Sequence, residues 1–238
     1  MLSSFVDPYR LYLGDGRGAF GAPASLPSGG GALTVADLNK DGRPDLIGAG
    51  SGSIGTKSGS VVVLLNSAGG FTARNTYLAG RAVSMAVVAD FNLDGQPDVI
   101  AANQDTDSFP VFPTLTFLAG DGTGRLLSGL QIPESAGISE ITVADLNQDN
   151  RPDVILTGSQ SFSSNNGVQV ALRNAQGGFE TAQRYLPQGF SQNYLDAVAA
   201  DFNNDNLPDI AALASSGFQT NGFVTIFPGT GNGRLRGR

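Results

Sequence analysis

The segment VADLNKDGRPDLI (35–47) recurs as VADFNLDGQPDVI (88–100), VADLNQDNRPDVI (143–155) and AADFNNDNLPDIA (199–211). The leading aspartates, Asp37, Asp90, Asp145 and Asp201, lie 53, 55 and 56 residues apart. Self-similarity at a fixed period marks a repeat architecture, and this period fits about four short strands with their turns, the size of one propeller blade. In each copy an apolar stretch such as Ser84–Ala89 runs into a polar loop, and a second, such as Asp98–Ala102, leaves it.

A third apolar run follows in every unit, over 61–65, 115–118, 168–172 and 223–227, and a Gly-rich turn leads to a weaker fourth run such as 71–77. Enrichment in β-branched residues, with Gly, Asn and Pro as punctuation, favours strands over helices. The 33 Gly and 12 Pro among 238 residues agree with many short strands. The fold expected is all-β, a β-propeller of four-stranded blades, with a half blade over 1–30 and blades over 31–80, 81–135, 136–190 and 191–238. Tyr9–Gly16 matches the third run, so both ends of the chain supply a third strand. That redundancy points to four to four-and-a-half repeats from a longer, seven-bladed propeller of roughly 380 residues. A closed four- to five-bladed ring or an open arc is the alternative, and an incomplete propeller would have faces free for self-association.

The shared loop reads Asp-x-Asn-x-Asp-Gly/Asn-x-Pro-Asp. Side-chain oxygens fall at positions 1, 3, 5 and 9: Asp37, Asn39, Asp41 and Asp45; Asp90, Asn92, Asp94 and Asp98; Asp145, Asn147, Asp149 and Asp153; Asp201, Asn203, Asp205 and Asp209. Calcium takes six to eight oxygens at about 2.3–2.6 Å, and alternate residues of a tightly curled loop aim theirs inward. Position 6 needs positive φ and is Gly42, Gly95, Asn150 or Asn206. Asn pays more than Gly in the left-handed region, so the two Asn loops are expected to bind more weakly. The invariant Pro at position 8 pushes its predecessor toward an extended conformation. That turns the backbone carbonyl of Arg43, Gln96, Arg151 or Leu207 toward an ion. In a metal-free turn the same side chains would cap backbone amides.

At these residues the chain resembles the FG-GAP/VCBS repeat family, which includes the propeller of integrin α subunits. Phe20-Gly21-Ala22-Pro23 spells the motif that names the family; Phe71 and Phe179 stand at equivalent places, and Leu126 and Leu235 replace Phe in the other two. The resemblance implies about four bound Ca2+ ions, loops joining the first and second strands on one face of a propeller, and an extracellular or cell-surface location. It includes adhesins and lectins among its relatives.

Of the 21 acidic residues, 12 lie in the four loops, so the net charge of -7 is mostly local. Four divalent ions would bring it to about +1. No basic face is offered to nucleic acid. There is no His, Cys or Trp, which removes disulfides and the commonest general base and leaves oxygen-ligated hard cations as the metals to consider. No apolar run is long enough to span a membrane. Residues 1–8 have neither the basic nor the apolar region of a signal peptide. Acids outside the loops, among them Asp105, Asp107, Asp121, Glu134, Glu140, Glu180 and Asp196, form no recognisable acid/base pair, so no enzyme is expected. The loops between second and third strands carry Ile54, Phe109, Phe112, Phe162 and Phe218 among small polar residues. Aromatic residues in such company suit a protein or glycan ligand, or each packs on a neighbouring blade. The function expected is a calcium-stabilised binding or adhesion module, with a lectin as the alternative.

Overall fold

A computed structural model describes residues 9–26, 32–50, 59–80, 83–103, 114–127, 131–133, 138–158, 167–186, 193–215 and 222–236. All regular structure in them is β. Two short strands, β1 (Arg10–Leu11) and β2 (Ala24–Ser25), pair antiparallel. Three four-stranded antiparallel meanders follow. The first is β3 (Leu33–Ala36), β4 (Asp45–Gly50), β5 (Ser60–Ser67) and β6 (Gly70–Leu78). The second is β7 (Val83–Ala89), β8 (Asp98–Asn103), β9 (Thr114–Leu118) and β10 (Gln131–Pro133), and the third is β11 (Glu140–Ala144), β12 (Asp153–Gly158), β13 (Gly167–Ala171) and β14 (Gln183–Tyr185). A three-stranded sheet of β15 (Asn193–Ala200), β16 (Asp209–Ser215) and β17 (Gly222–Phe227) ends the series.

In the three meanders, which are covered on both faces, the second strand is buried at all six positions, and after its leading Asp it is mostly apolar: β4, β8 and β12. The cores therefore lie between sheets. Leu38, Ile47, Val61 and Val63 of the first meander pack with Ala86, Val99 and Ala101 of the second. Phe91, Ile100 and Leu115 pack with Ile141, Val154 and Leu156 of the third, and Ile155, Val168 and Val170 pack with Tyr194, Ala197 and Ile210 of the last. The β1–β2 pair closes the other end, where Tyr9, Leu11 and Leu26 meet Leu46, Val62 and Leu64.

Among the described residues nothing covers the outer face of the last sheet. Phe202 is 47% exposed, whereas its repeat equivalents Leu38, Phe91 and Leu146 are 1–2% exposed. Val224 is 62% exposed where Val61, Leu115 and Val168 are at most 1%. Identical repeat positions thus have different energetics according to whether another sheet follows.

After β1, β9, β13 and β17 a tight turn is closed by an isolated bridge: Gly14 to Phe20, Gly120 to Leu126, Arg173 to Phe179 and Gly229 to Leu235, whereas β5 runs straight into β6. A side-chain oxygen next to the bridge holds three of these turns in the same way, Asp121 Oδ1 accepting the amides of Thr123 and Arg125 in one of them. Asp15 Oδ1 accepts the amides of Arg17 and Ala19, and Asn174 Oδ1 those of Gln176 and Gly178. This Asx geometry explains why the turn repeats with Gly and Asp or Asn.

Candidate functional site

Each acidic loop joins the first strand of its sheet to the second, and the four share one hydrogen-bond pattern. The position 5 amide donates to both the position 1 carboxylate and the position 3 amide oxygen: Asp41 N reaches Asp37 Oδ1 at 3.1 Å and Asn39 Oδ1 at 3.2 Å. Asp94, Asp149 and Asp205 repeat this with Asp90 and Asn92, Asp145 and Asn147, and Asp201 and Asn203. Position 6 donates to the other oxygen of position 1 at 2.8 Å in every loop. Oxygens from positions 1 and 3 therefore converge at one point.

Curling so tightly takes two left-handed residues per loop, not one. Position 6 has φ of 81° and 84° at Gly42 and Gly95, and 62° and 65° at Asn150 and Asn206. Position 4 is left-handed too, at Lys40, Leu93, Gln148 and Asn204. The variety of residues at position 4 hid this requirement in the sequence. It has a use: Lys40 Nζ donates to the carbonyl of Gly95 in the next loop, and Gln148 Nε2 donates to that of Asn206 at 2.6 Å. Leu93 has no polar group to make the corresponding link.

Position 9 sits apart from the other three. Asp45, Asp98, Asp153 and Asp209 are all 0% exposed. One oxygen accepts the position 2 amide, as in Leu38 N to Asp45 and Leu146 N to Asp153, both 2.9 Å. The other accepts the amide at the end of the third strand, from Asn66, Gly120, Arg173 and Gly229, at 2.8 Å each. These carboxylates staple the loop to the third strand. Loss of hydration pushes Asp98 up, against the amides that hold it, and pushes Asp153 up to about 6, with the charges of Asp149 and Asp145 adding to the shift. Among the described residues no three acidic side chains are gathered around one point.

Position 7 behaves in two ways. Arg43 Nη2 pairs with Asp41 Oδ2 at 2.7 Å, and Arg151 pairs with Asp149 in the same way. Their Nε atoms donate to the carbonyls of Asn66 and Arg173, at 3.3 and 3.1 Å. Burial raises the Asp41 carboxyl, but the Arg43 amide, the Asn39 side chain and the Arg43 charge outweigh it and hold Asp41 below its ordinary value. Where position 7 is Gln96 or Leu207, the third strand ends instead in Gly120 or Gly229. A Cβ at these glycines would stand 2.0 Å from Pro97 O and 2.1 Å from Pro208 O. The sequence reading assigned only a backbone role to position 7 and so missed its side chain.

Between the third and fourth loops lies a cleft of about 520 Å³, lined by Asp145, Gln148, Asp201, Asn206, Leu207 and Pro208 among others. The residues expected at a ligand face, Ile54, Phe109, Phe112, Phe162 and Phe218, all lie outside the described residues.

The donor atoms at positions 1, 3, 5 and 9 are all oxygens, which suits a hard cation, and positions 1 and 3 already converge in each loop. Carboxylate oxygens that accept one N–H retain lone pairs for a metal. Positions 1, 3 and 5 are therefore the residues that could hold Ca2+, while position 9 staples the loop to the third strand.

A family profile described as an FG-GAP-like repeat matches residues 37–101 and again 90–156, spanning half of the chain. None of the curated proteins compared with the chain matches it. No helix among the described residues is long and apolar enough to cross a membrane.

Proposed function

The chain belongs to the FG-GAP-like repeat family, and from that premise we propose that it is a calcium-stabilised, propeller-type binding module that works outside the cell or at its surface. Its sheets are blades of a propeller, and a protein or a glycan is the ligand. One observation carries the reading: in all four loops the position 1 and position 3 oxygens meet on a single amide. Three carboxylates within nine residues repel one another, and a divalent ion between them would offset that repulsion. Binding energy gained only in the folded state becomes folding energy. Extracellular calcium modules bind at roughly 0.1–1 mM, so the module would be firm outside cells and loose at cytosolic calcium. The ions are structural and the protein does no catalysis.

Thermal melts in calcium, in magnesium and with a chelator test this reading. A rise of about 5 °C or more that is specific to calcium is expected. Equal melting temperatures under all three conditions would reduce the loops to capped turns.

A further inference from the structure

The four loops are not equivalent, and what divides them is the residue at position 7. In loops one and three the guanidinium of Arg43 or Arg151 sits on the second oxygen of the position 5 carboxylate. The first oxygen already caps the position 7 amide, at 2.9 Å in both. In loops two and four no cation among the described residues pairs with Asp94 or Asp205. Each caps its position 7 amide, at 2.7 and 2.9 Å, and Asp94 also accepts the Asn92 side chain at 2.9 Å. Lys40 does reach loop two, but it binds the Gly95 carbonyl rather than a carboxylate.

The arginines are fixed in place as well as close. Each Nε is tied to the end of the third strand, and that same residue, Asn66 or Arg173, donates its amide to the position 9 carboxylate. The guanidinium, the strand end and the position 9 staple thus form one closed circuit around loops one and three. Loops two and four replace the circuit with a glycine packed directly on the position 8 carbonyl. Two constructions alternate along the chain, and they differ in whether the loop brings its own positive charge.

We propose that Arg43 and Arg151 are tethered counter-cations that compete with calcium for Asp41 and Asp149, so that loops two and four fill first and loops one and three fill later. This rests on the calcium reading above. A divalent ion entering loop one must share or displace a charge-assisted hydrogen bond that loop two lacks. For a half-exposed pair the handicap amounts to about three- to fivefold in affinity per loop. In return, loops one and three keep one carboxylate neutralised without calcium. The division cuts across the Gly/Asn difference at position 6, which would group loop one with two and loop three with four.

The test is a calorimetric calcium titration of the wild-type chain and of Arg43→Gln/Arg151→Gln. Two tighter and two weaker sites are expected in the wild type, and the double variant should close the gap between them, leaving only the smaller difference set by Gly or Asn at position 6. Leu207→Arg, a change on an accessible loop, should move one tight site into the weak class. It serves as the second arm if the double variant fails to fold. Two classes that persist unchanged in the double variant, or one class in every protein, would overturn the inference and leave calcium binding intact. Absence of calcium binding in all of them would overturn both.

Discussion

Replacing Asp153 by Asn should have opposite consequences with and without calcium. The carboxylate is fully buried and accepts Leu146 N at 2.9 Å and Arg173 N at 2.8 Å. Asn offers one oxygen, so its NH2 must face one of these two donors. A buried N–H left unsatisfied costs about 1–3 kcal/mol. Against this stands the cost of keeping the carboxylate ionised. Its folded pKa is about 6, roughly two units above that of a free carboxyl, which is on the order of 3 kcal/mol at pH 7. A raised folded pKa means that stability from this group is complete below about pH 4 and is lost as pH rises through 6. In chelator at pH 7 the two changes cancel and Asp153→Asn should melt within about 2 °C of wild type. In calcium the ion offsets the charge, only the loss remains, and the variant should melt about 4–8 °C lower. Wild type in chelator should gain stability from this group between pH 7 and pH 5. An equal drop with and without calcium would refute the reasoning.

Other substitutions test the packing. Val168→Lys and Val224→Lys occupy the same repeat position, but Val168 is fully buried and Val224 is 62% exposed. Denaturant melts should show a loss above about 4 kcal/mol for the first and less than about 0.5 kcal/mol for the second. Gly120→Ala drives a Cβ to 2.0 Å from Pro97 O and should cost about 3 kcal/mol, whereas Gly14→Ala meets nothing nearer than 3.9 Å and should be silent in the same assay. Leu93 holds φ of 60° while 54% exposed. Leu93→Asn should therefore raise the melting temperature by about 2–4 °C, since Asn accepts the left-handed region more readily.

The strand order of the repeat was legible because hydrophobic runs and turn formers alternate at fixed offsets, and each run predicted as a third strand falls on β5, β9, β13 or β17. Left-handed position 6 was legible too, because only Gly and Asn occur there. Position 4 was not, since Lys, Leu, Gln and Asn share no preference for positive φ. The staple at position 9 was hidden by its chemistry: an Asp in an acidic loop reads as a ligand, and its partners, the amides of Asn66, Gly120, Arg173 and Gly229, lie 20 to 22 residues on. Nor does any local pattern reveal Arg173. Its guanidinium lies over the rings of Phe117 and Phe179, at 5.5 and 5.0 Å, across the boundary between two sheets. Burial holds it below the usual arginine range, while Asp98 favours its charge.

Anomalous diffraction from crystals grown in calcium addresses the central claim most directly. The account predicts four peaks per chain, one in each acidic loop, each within about 2.3–2.6 Å of oxygens from positions 1, 3 and 5. Loops without peaks, their carboxylates bound to backbone amides alone, would contradict it.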